Sequence, residues 1–191
     1  MLRRVKKITI DLLKRLLFSI ISLVLLLPIL FVLCVLIFFE DGLPVFFLQE
    51  RVGKKANTFR IIKLRTMKVG TPNIATDKLS YSERYILRTG KVLRKFHIDE
   101  LPNLFNVIKG DMNLIGYRPS LNTQYDLNDL RMEFNIFHNK PGITGLAQIK
   151  GGDNLSIRNK VKYERFYLEK KSLKLDFYIL LKTFLSNEKL Q

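Results

Sequence analysis

The chemistry-bearing residues of this chain concentrate between positions 94 and 120, around the adjacent carboxylates Asp99 and Glu100. Leu101, Leu104, Phe105 and Ile108 follow at i, i+3, i+4, i+7, which predicts a short helix with one apolar face. Asp99 stands where an N-cap belongs, Pro102 in the first turn and Gly110 past the last apolar residue. The carboxylates would then lie at an electropositive helix end, which keeps them ionised and also attracts phosphate. A carboxylate pair beside a phosphate calls for a divalent cation between them, Mg²⁺. Arg94, Lys95 and Arg118 flank the pair and could hold phosphate oxygens, arginine in bidentate fashion. A capped helix with a solvated first turn explains the same residues without any chemistry.

Two further cations, Lys63 and Arg65, end a run of β-branched and aromatic residues. Strand alternation puts them on one face. His97 is a candidate acid/base group two residues before Asp99. His138 reads as a surface residue, since no second histidine, cysteine or acidic cluster has metal-ligand spacing with it.

The elements that must position these groups form an α+β pattern. Residues 45–48 and 59–64 predict two strands joined by a polar connection with Gly53 and Asn57, a hairpin. A surface loop is expected over 68–80 and a helix over 81–96, with Gly90 as a break. Tyr85, Arg88, Lys91 and Arg94 make a basic face there, suited to an anionic lipid surface. Residues 122–138 and 157–171 read as polar helices. Between them lies a turn-rich loop over 140–153, where glycines permit close backbone approach. Leu173, Phe177, Leu180, Leu181 and Phe184 predict a final amphipathic helix, either floating on a membrane surface or packed on the core.

Residues 16–39 contain 24 positions without a charge. As a helix that run measures about 36 Å, against a hydrocarbon core of about 30 Å. It is too long for a cleaved signal peptide, and no small-residue cleavage site follows it. Pro28 sits mid-run and removes a backbone hydrogen bond. Both flanks are basic: six Lys and Arg against Asp11 in the first 15 residues, then 27 basic against 16 acidic from residue 40 onward. The positive-inside rule puts both flanks in the cytoplasm. The expectation is a re-entrant membrane helix broken at Pro28, with a Pro-kinked single span as the alternative. The chain then divides into residues 1–40, a basic N-terminus with the membrane helix, and 41–191, a helix-rich cytosolic domain with interfacial amphipathic helices that carries the candidate site.

The 191 residues carry a net charge of +16, from 33 Lys and Arg against 17 Asp and Glu. Such a balance predicts an anionic partner. No nucleic-acid-binding motif is present, which disfavours a basic membrane-tethered nucleic-acid binder. A single cysteine, Cys34, excludes an internal disulfide.

Four motifs in order, Lys-Leu-Arg-Thr-Met (63–67), Asp-Glu-Leu-Pro-Asn-Leu-Phe-Asn-Val-Ile-Lys-Gly-Asp-Met (99–112), Gly-Tyr-Arg-Pro (116–119) and Lys-Pro-Gly-Ile-Thr-Gly-Leu-Ala-Gln (140–148), resemble the bacterial sugar transferases in their small, single-domain monotopic form. The resemblance implies transfer of a sugar-1-phosphate from a UDP-sugar to a polyprenol phosphate at the anionic inner leaflet. It implies Asp99 as nucleophile and Glu100 as its partner at Mg²⁺. Lys63, Arg65 and Arg118 become phosphate contacts, and Gln148 and Asp176 further substrate-site residues. A homodimer and glycan-pathway glycosyltransferases complete the expected partners; a catalytically inactive scaffold of a glycan-assembly complex is the rival reading. The chain departs from the family pattern at Tyr117, where proline is usual, at Leu146, where tryptophan is usual, at Leu27 before Pro28, and at Gly152.

Overall fold

The computed structural model describes residues 24–71 and 82–185. The first element is helix α1, Val24–Asp41, long and apolar enough to cross a membrane. Leu30 and Ile37 are its buried residues, with Leu26, Leu33 and Cys34 partly buried beside them. These positions follow helical spacing and form one stripe, which packs on Leu64, Leu87, Leu93 and Leu104. The opposite faces leave Val24, Leu25, Leu27, Ile29, Phe31, Val32, Val35, Leu36, Phe38 and Phe39 exposed. The helix continues through Pro28 without interruption. The arm before Val24, on which the re-entrant expectation turns, lies outside the described residues.

The lower end of α1 is bound to the rest of the chain by polar contacts. The Glu40 carboxylate accepts the Arg88 and Thr89 amides at 2.6 and 3.0 Å and the Thr89 hydroxyl at 2.7 Å. It thus caps helix α2, Arg88–Lys95, from a different element. Arg65 donates to the Asp41 and Gly42 carbonyls at 2.9 and 2.8 Å and pairs with the Asp41 carboxylate at 3.4 Å. Asp41 also accepts the Val69 amide.

Strands β1, Phe46–Val52, and β2, Thr58–Leu64, form the expected hairpin, antiparallel with Phe46 opposite Leu64 and Val52 opposite Thr58. The first strand runs four residues further than its apolar residues indicate, because Gln49 to Val52 pair with the β2 backbone whatever their polarity. The expected break at Gly90 is absent. Gly90 is buried inside α2, where a Cβ would strike the Thr66 backbone, so the glycine permits α2 to press against the exit of β2.

Helix α3, Asn103–Lys109, ends at Gly110 as expected. Its beginning differs. Asp99 does not cap it; Asp99 and Glu100 belong to a separate 3₁₀ turn, Ile98–Glu100, entered through a left-handed His97 (φ 54°). The buried face is Asn103, Leu104, Asn106 and Val107, while Phe105 is exposed. The reason is polar: Asn103 accepts the Ile62 amide and Asn106 donates to the Arg60 carbonyl, so two asparagines turn the helix toward β2.

Strands β3, Asn113–Ile115, and β4, Gly142–Thr144, pair in parallel and form a second small sheet, with β4 inside the stretch that reads as a turn-rich loop. A Cβ on Gly142 would collide with the Gly116 backbone, and one on Gly145 with the Gly116 carbonyl, which accounts for the glycines of the 140–148 motif. Helix α4, Tyr125–Glu133, is shorter than expected and is followed by a 3₁₀ turn, Ile136–His138. Helix α5 is Leu146–Ile149; α6 is Ile157–Lys170, capped by Ser156 Oγ on the Asn159 amide; α7 is Leu173–Leu185. On α7, Ile179 is fully buried, whereas Leu173, Phe177, Leu181 and Leu185 are exposed. Of the predicted apolar face Leu180 is partly buried in the core, so most of that face looks outward.

Candidate active site

Glu100 stands at the centre of an ion cluster. Lys63 Nζ from β2 lies 2.6 Å from Glu100 Oε1. Arg118, in the segment after β3, donates from Nη2 to Oε1 at 3.0 Å and from Nη1 to Oε2 at 3.4 Å. Both oxygens of one carboxylate are therefore engaged by two cations. Burial pushes the Glu100 carboxyl up, but Arg118 and Lys63 outweigh it and hold the group well below the usual carboxylate range. Arg118 is correspondingly raised by Glu100.

Asp99 contrasts with its neighbour. It is buried, and among the described residues no hydrogen-bond donor or ion-pair partner reaches its carboxylate. Burial and the Glu100 charge raise its pKa, while Lys63, Arg94 and His97 act in the other direction. Adjacent carboxylates on one turn are thus divided. One is saturated and firmly ionised; the other keeps free lone pairs and is electrostatically raised in energy when charged. Divergent environments on paired acids are the usual mark of divided roles.

The open space beside the cluster is lined by Arg51, Ile61, Lys63, Glu100, Asn103, Met112, Arg118, Pro119, Gly142 and Ile143. Asp99 is adjacent to this lining rather than part of it. Arg94 is directed to Thr66 Oγ1 at 2.8 Å and exerts its charge on Asp99. Asp99, Glu100, Lys63, Arg94 and Arg118 are therefore brought together. Three other predicted site residues are not. Arg65 turns away from Lys63 to the end of α1. The alternation argument fails for it because β2 ends at Leu64 and Arg65 meets the Asp41–Gly42 carbonyls. Gln148 donates to the Ile143 carbonyl at 2.9 Å, supporting a lining residue from behind. Asp176 accepts the Tyr167 hydroxyl at 2.7 Å, joining α6 to α7. His97 and His138 are both exposed.

Arg51 and Asn103 were not singled out by the sequence. The signal for Arg51 was available: positions 47, 49 and 51 share a strand face, and the register aligns them with Lys63, Ile61 and Phe59. Treating β1 as ending at residue 48 concealed it.

Residues 3–188 match the sequence profile of the bacterial sugar transferases. The chain belongs to that family. A UDP-N-acetylgalactosamine-undecaprenyl-phosphate N-acetylgalactosaminephosphotransferase of Aeromonas hydrophila is 40% identical over 161 residues, 82% of this chain and 38% of that protein. The exopolysaccharide production protein ExoY of Sinorhizobium fredii is 33% identical over 183 residues, 87% of this chain and 80% of that one. The undecaprenyl-phosphate galactose phosphotransferase of Salmonella typhimurium is 31% identical over 159 residues, 75% of this chain and 33% of that protein. The chain thus spans about a third of two of these relatives and most of the third.

A magnesium ion fits the residues present. Among the described residues no three His, Cys, Asp or Glu side chains form an all-protein cage. Mg²⁺ seldom uses one; it takes one or two carboxylates and completes its octahedron with water and substrate phosphates. Asp99, with unengaged oxygens, could supply such a carboxylate, whereas both oxygens of Glu100, the ligand expected from the resemblance, are already taken by Lys63 and Arg118.

Proposed function

We propose that this bacterial sugar transferase moves a sugar-1-phosphate from a UDP-sugar onto a polyprenol phosphate, undecaprenyl phosphate in particular, and releases UMP. The single observation carrying this reading is the division of labour between Asp99 and Glu100. A buried carboxylate free of hydrogen-bond partners is available as a nucleophile, and its neighbour anchors the cations that face the donor.

In the first half-reaction an Asp99 oxygen attacks the sugar-bearing phosphorus. The bond from that phosphorus to the bridging oxygen breaks, and UMP departs with the electron pair. An acyl phosphate joins Asp99 to the sugar-1-phosphate. In the second half-reaction a phosphate oxygen of the polyprenol phosphate attacks the same phosphorus and frees the Asp99 carboxylate. Lys63 and Arg118 hold phosphoryl oxygens throughout, and Glu100 keeps both cations in place. Mg²⁺ held at the free Asp99 carboxylate would supply neutralisation of the diphosphate and a better leaving group.

The lipid acceptor fits the apolar surface of the molecule. The exposed faces of α1 and α7 and the exposed Phe46, Phe47 and Leu48 would be unstable in water and are suited to lipid. The net charge of +16 suits an anionic cytoplasmic leaflet. The reading places the protein at the bacterial inner membrane with its catalytic part on the cytoplasmic side, beginning a capsule, exopolysaccharide or related surface glycan.

The test is UMP release from a panel of UDP-sugars, with and without undecaprenyl phosphate. A burst of UMP without the lipid, together with a sugar-phosphate mass on the peptide holding Asp99, is expected. Turnover that persists with no such adduct overturns the covalent route. Labelling of a cysteine placed near the N-terminus in a Cys34→Ser background, in sealed vesicles, distinguishes a re-entrant helix from a span.

A further inference from the structure

The pocket wall contains one cation more than the chemistry above uses. Arg51 lies on the β1 face that is aligned with Ile61 and Lys63, and it lines the pocket with Glu100, Arg118 and Pro119. Its guanidinium is held by two uncharged groups. Nη1 donates to the Pro119 carbonyl at 3.4 Å and Nη2 to Gln49 Oε1 at 2.5 Å. Among the described residues no carboxylate stands within ion-pair distance of it. Nε is buried and has no hydrogen-bond partner.

Arg51 therefore bears a partly buried charge without a counter-ion of its own. Burial and the charge of Arg118 pull its pKa down to about 10, and Glu100 and Asp153 only partly oppose this. Glu100 is already shared between Lys63 and Arg118. The pocket wall thus presents three cations against one glutamate, and desolvating unpaired like charges side by side is costly. The deficit is a negative charge, and the group that meets two guanidiniums and an ammonium is a polyphosphate, for which arginine's planar fork offers paired donors.

We propose that Arg51 is a donor-binding residue that, together with Arg118, takes the diphosphate of the nucleoside-diphosphate sugar, with Gln49 and the Pro119 carbonyl aiming its guanidinium. The assignment rests on the transferase reading above and adds a residue to it. Arg51 meets the diphosphate as bound substrate, so its loss raises KM more than it lowers kcat.

Two probes, UDP and inorganic pyrophosphate, test this on the full chain in lipid nanodiscs, with Arg51→Gln and Arg51→Lys followed by calorimetry. Arg51→Gln is expected to weaken both probes about tenfold or more, with Arg51→Lys recovering part of the loss because the charge remains and the fork does not. Wild-type protein that binds pyrophosphate but not UDP would overturn the UDP-donor reading, while the effect of Arg51→Gln on pyrophosphate still decides the arginine's role as an anion ligand. Arg51→Gln that binds both probes as tightly as wild type, with KM unchanged, overturns the assignment. If Arg51→Gln fails to fold, Arg51→Lys carries the test alone: weaker probe binding upholds the assignment, and wild-type affinity overturns it.

Discussion

Among the described residues two arginine–glutamate clusters lie in the interior, and they differ in charge balance and in access. Arg131 and Glu164 join α4 to α6; their side chains are 0% and 2% exposed, and the guanidinium meets the carboxylate through Nε and Nη2. The Arg131 guanidinium also lies 5.0 Å from the Tyr117 ring centre, and that ring meets Phe137 edge to face. One charge answers one charge and no ligand can enter. At Glu100 a single carboxylate answers both Lys63 and Arg118, and the Arg118 side chain is 40% exposed. That cluster is unbalanced and open, so it retains capacity for an anion. The two are linked in sequence, since Tyr117 rests on the closed pair and Arg118 reaches the open one. Buried charge by itself says little about function; the stoichiometry of charge and its access to solvent say more.

The comparison can be broken most directly at Asp99. Asp99→Asn is expected to lower turnover by roughly 10⁴-fold and to abolish the sugar-phosphate adduct, because an amide oxygen cannot replace the nucleophile. UMP release near the wild-type rate would show that the open cluster is structural. Next, Arg131→Met leaves Glu164 buried without its partner and should cost about 3–5 kcal/mol of stability in urea melts in micelles. The double change Arg131→Met/Glu164→Leu should recover most of that. A single variant that melts normally yet loses kcat/KM would reverse the roles of the two clusters. Arg118→Gln should show the converse pattern, with kcat/KM down about 10²-fold and a smaller loss of stability than Arg131→Met, since Lys63 still holds Glu100.

The smallest expected effect is a pH dependence. The Asp99 pKa is raised in the folded protein, so its ionisation opposes folding: for this group stability is fullest below about pH 4 and declines as pH rises through the raised value. In metal-free protein Asp99→Asn should therefore melt slightly higher than wild type at neutral pH, and the gap should close below about pH 4. A gap that widens on acidification would mean that Lys63, Arg94 and His97 dominate the carboxyl after all.

Much of this arrangement was legible in the chain. Asp99, Glu100, Lys63 and Arg118 carry their meaning in residue type and motif, and the structure joins the last three in one ion cluster with Asp99 beside it. Local geometry was less accessible. The 3₁₀ turn at Ile98–Glu100 depends on a left-handed His97, a conformation uncommon for any non-glycine residue even though histidine adopts it more readily than most. The orientation of α3 follows two buried asparagines, whose partners are backbone groups of β2 and invisible to hydrophobic periodicity. The parallel β3–β4 pair is three residues per strand and is held by glycine contacts between segments far apart in sequence. Arg65 shows the limit of alternation: two residues beyond Lys63, it leaves the strand and serves the end of α1 instead.

That last contact has a mechanical consequence. With Glu40 seated on α2, Asp41 on Arg65 and Val69, and Arg94 of α2 hydrogen-bonded to Thr66, α1 is joined by polar contacts to the elements around Asp99. The joint is a bracket rather than a tether, and under the mechanism proposed above it sets the height of Asp99 relative to whatever surface α1 occupies. One added helical turn within α1, a lift of about 5.4 Å, would raise the whole catalytic face by that distance. If the acceptor is a lipid phosphate as proposed, its phosphate, confined to a plane, would then be out of reach, even with every side chain of the site in place.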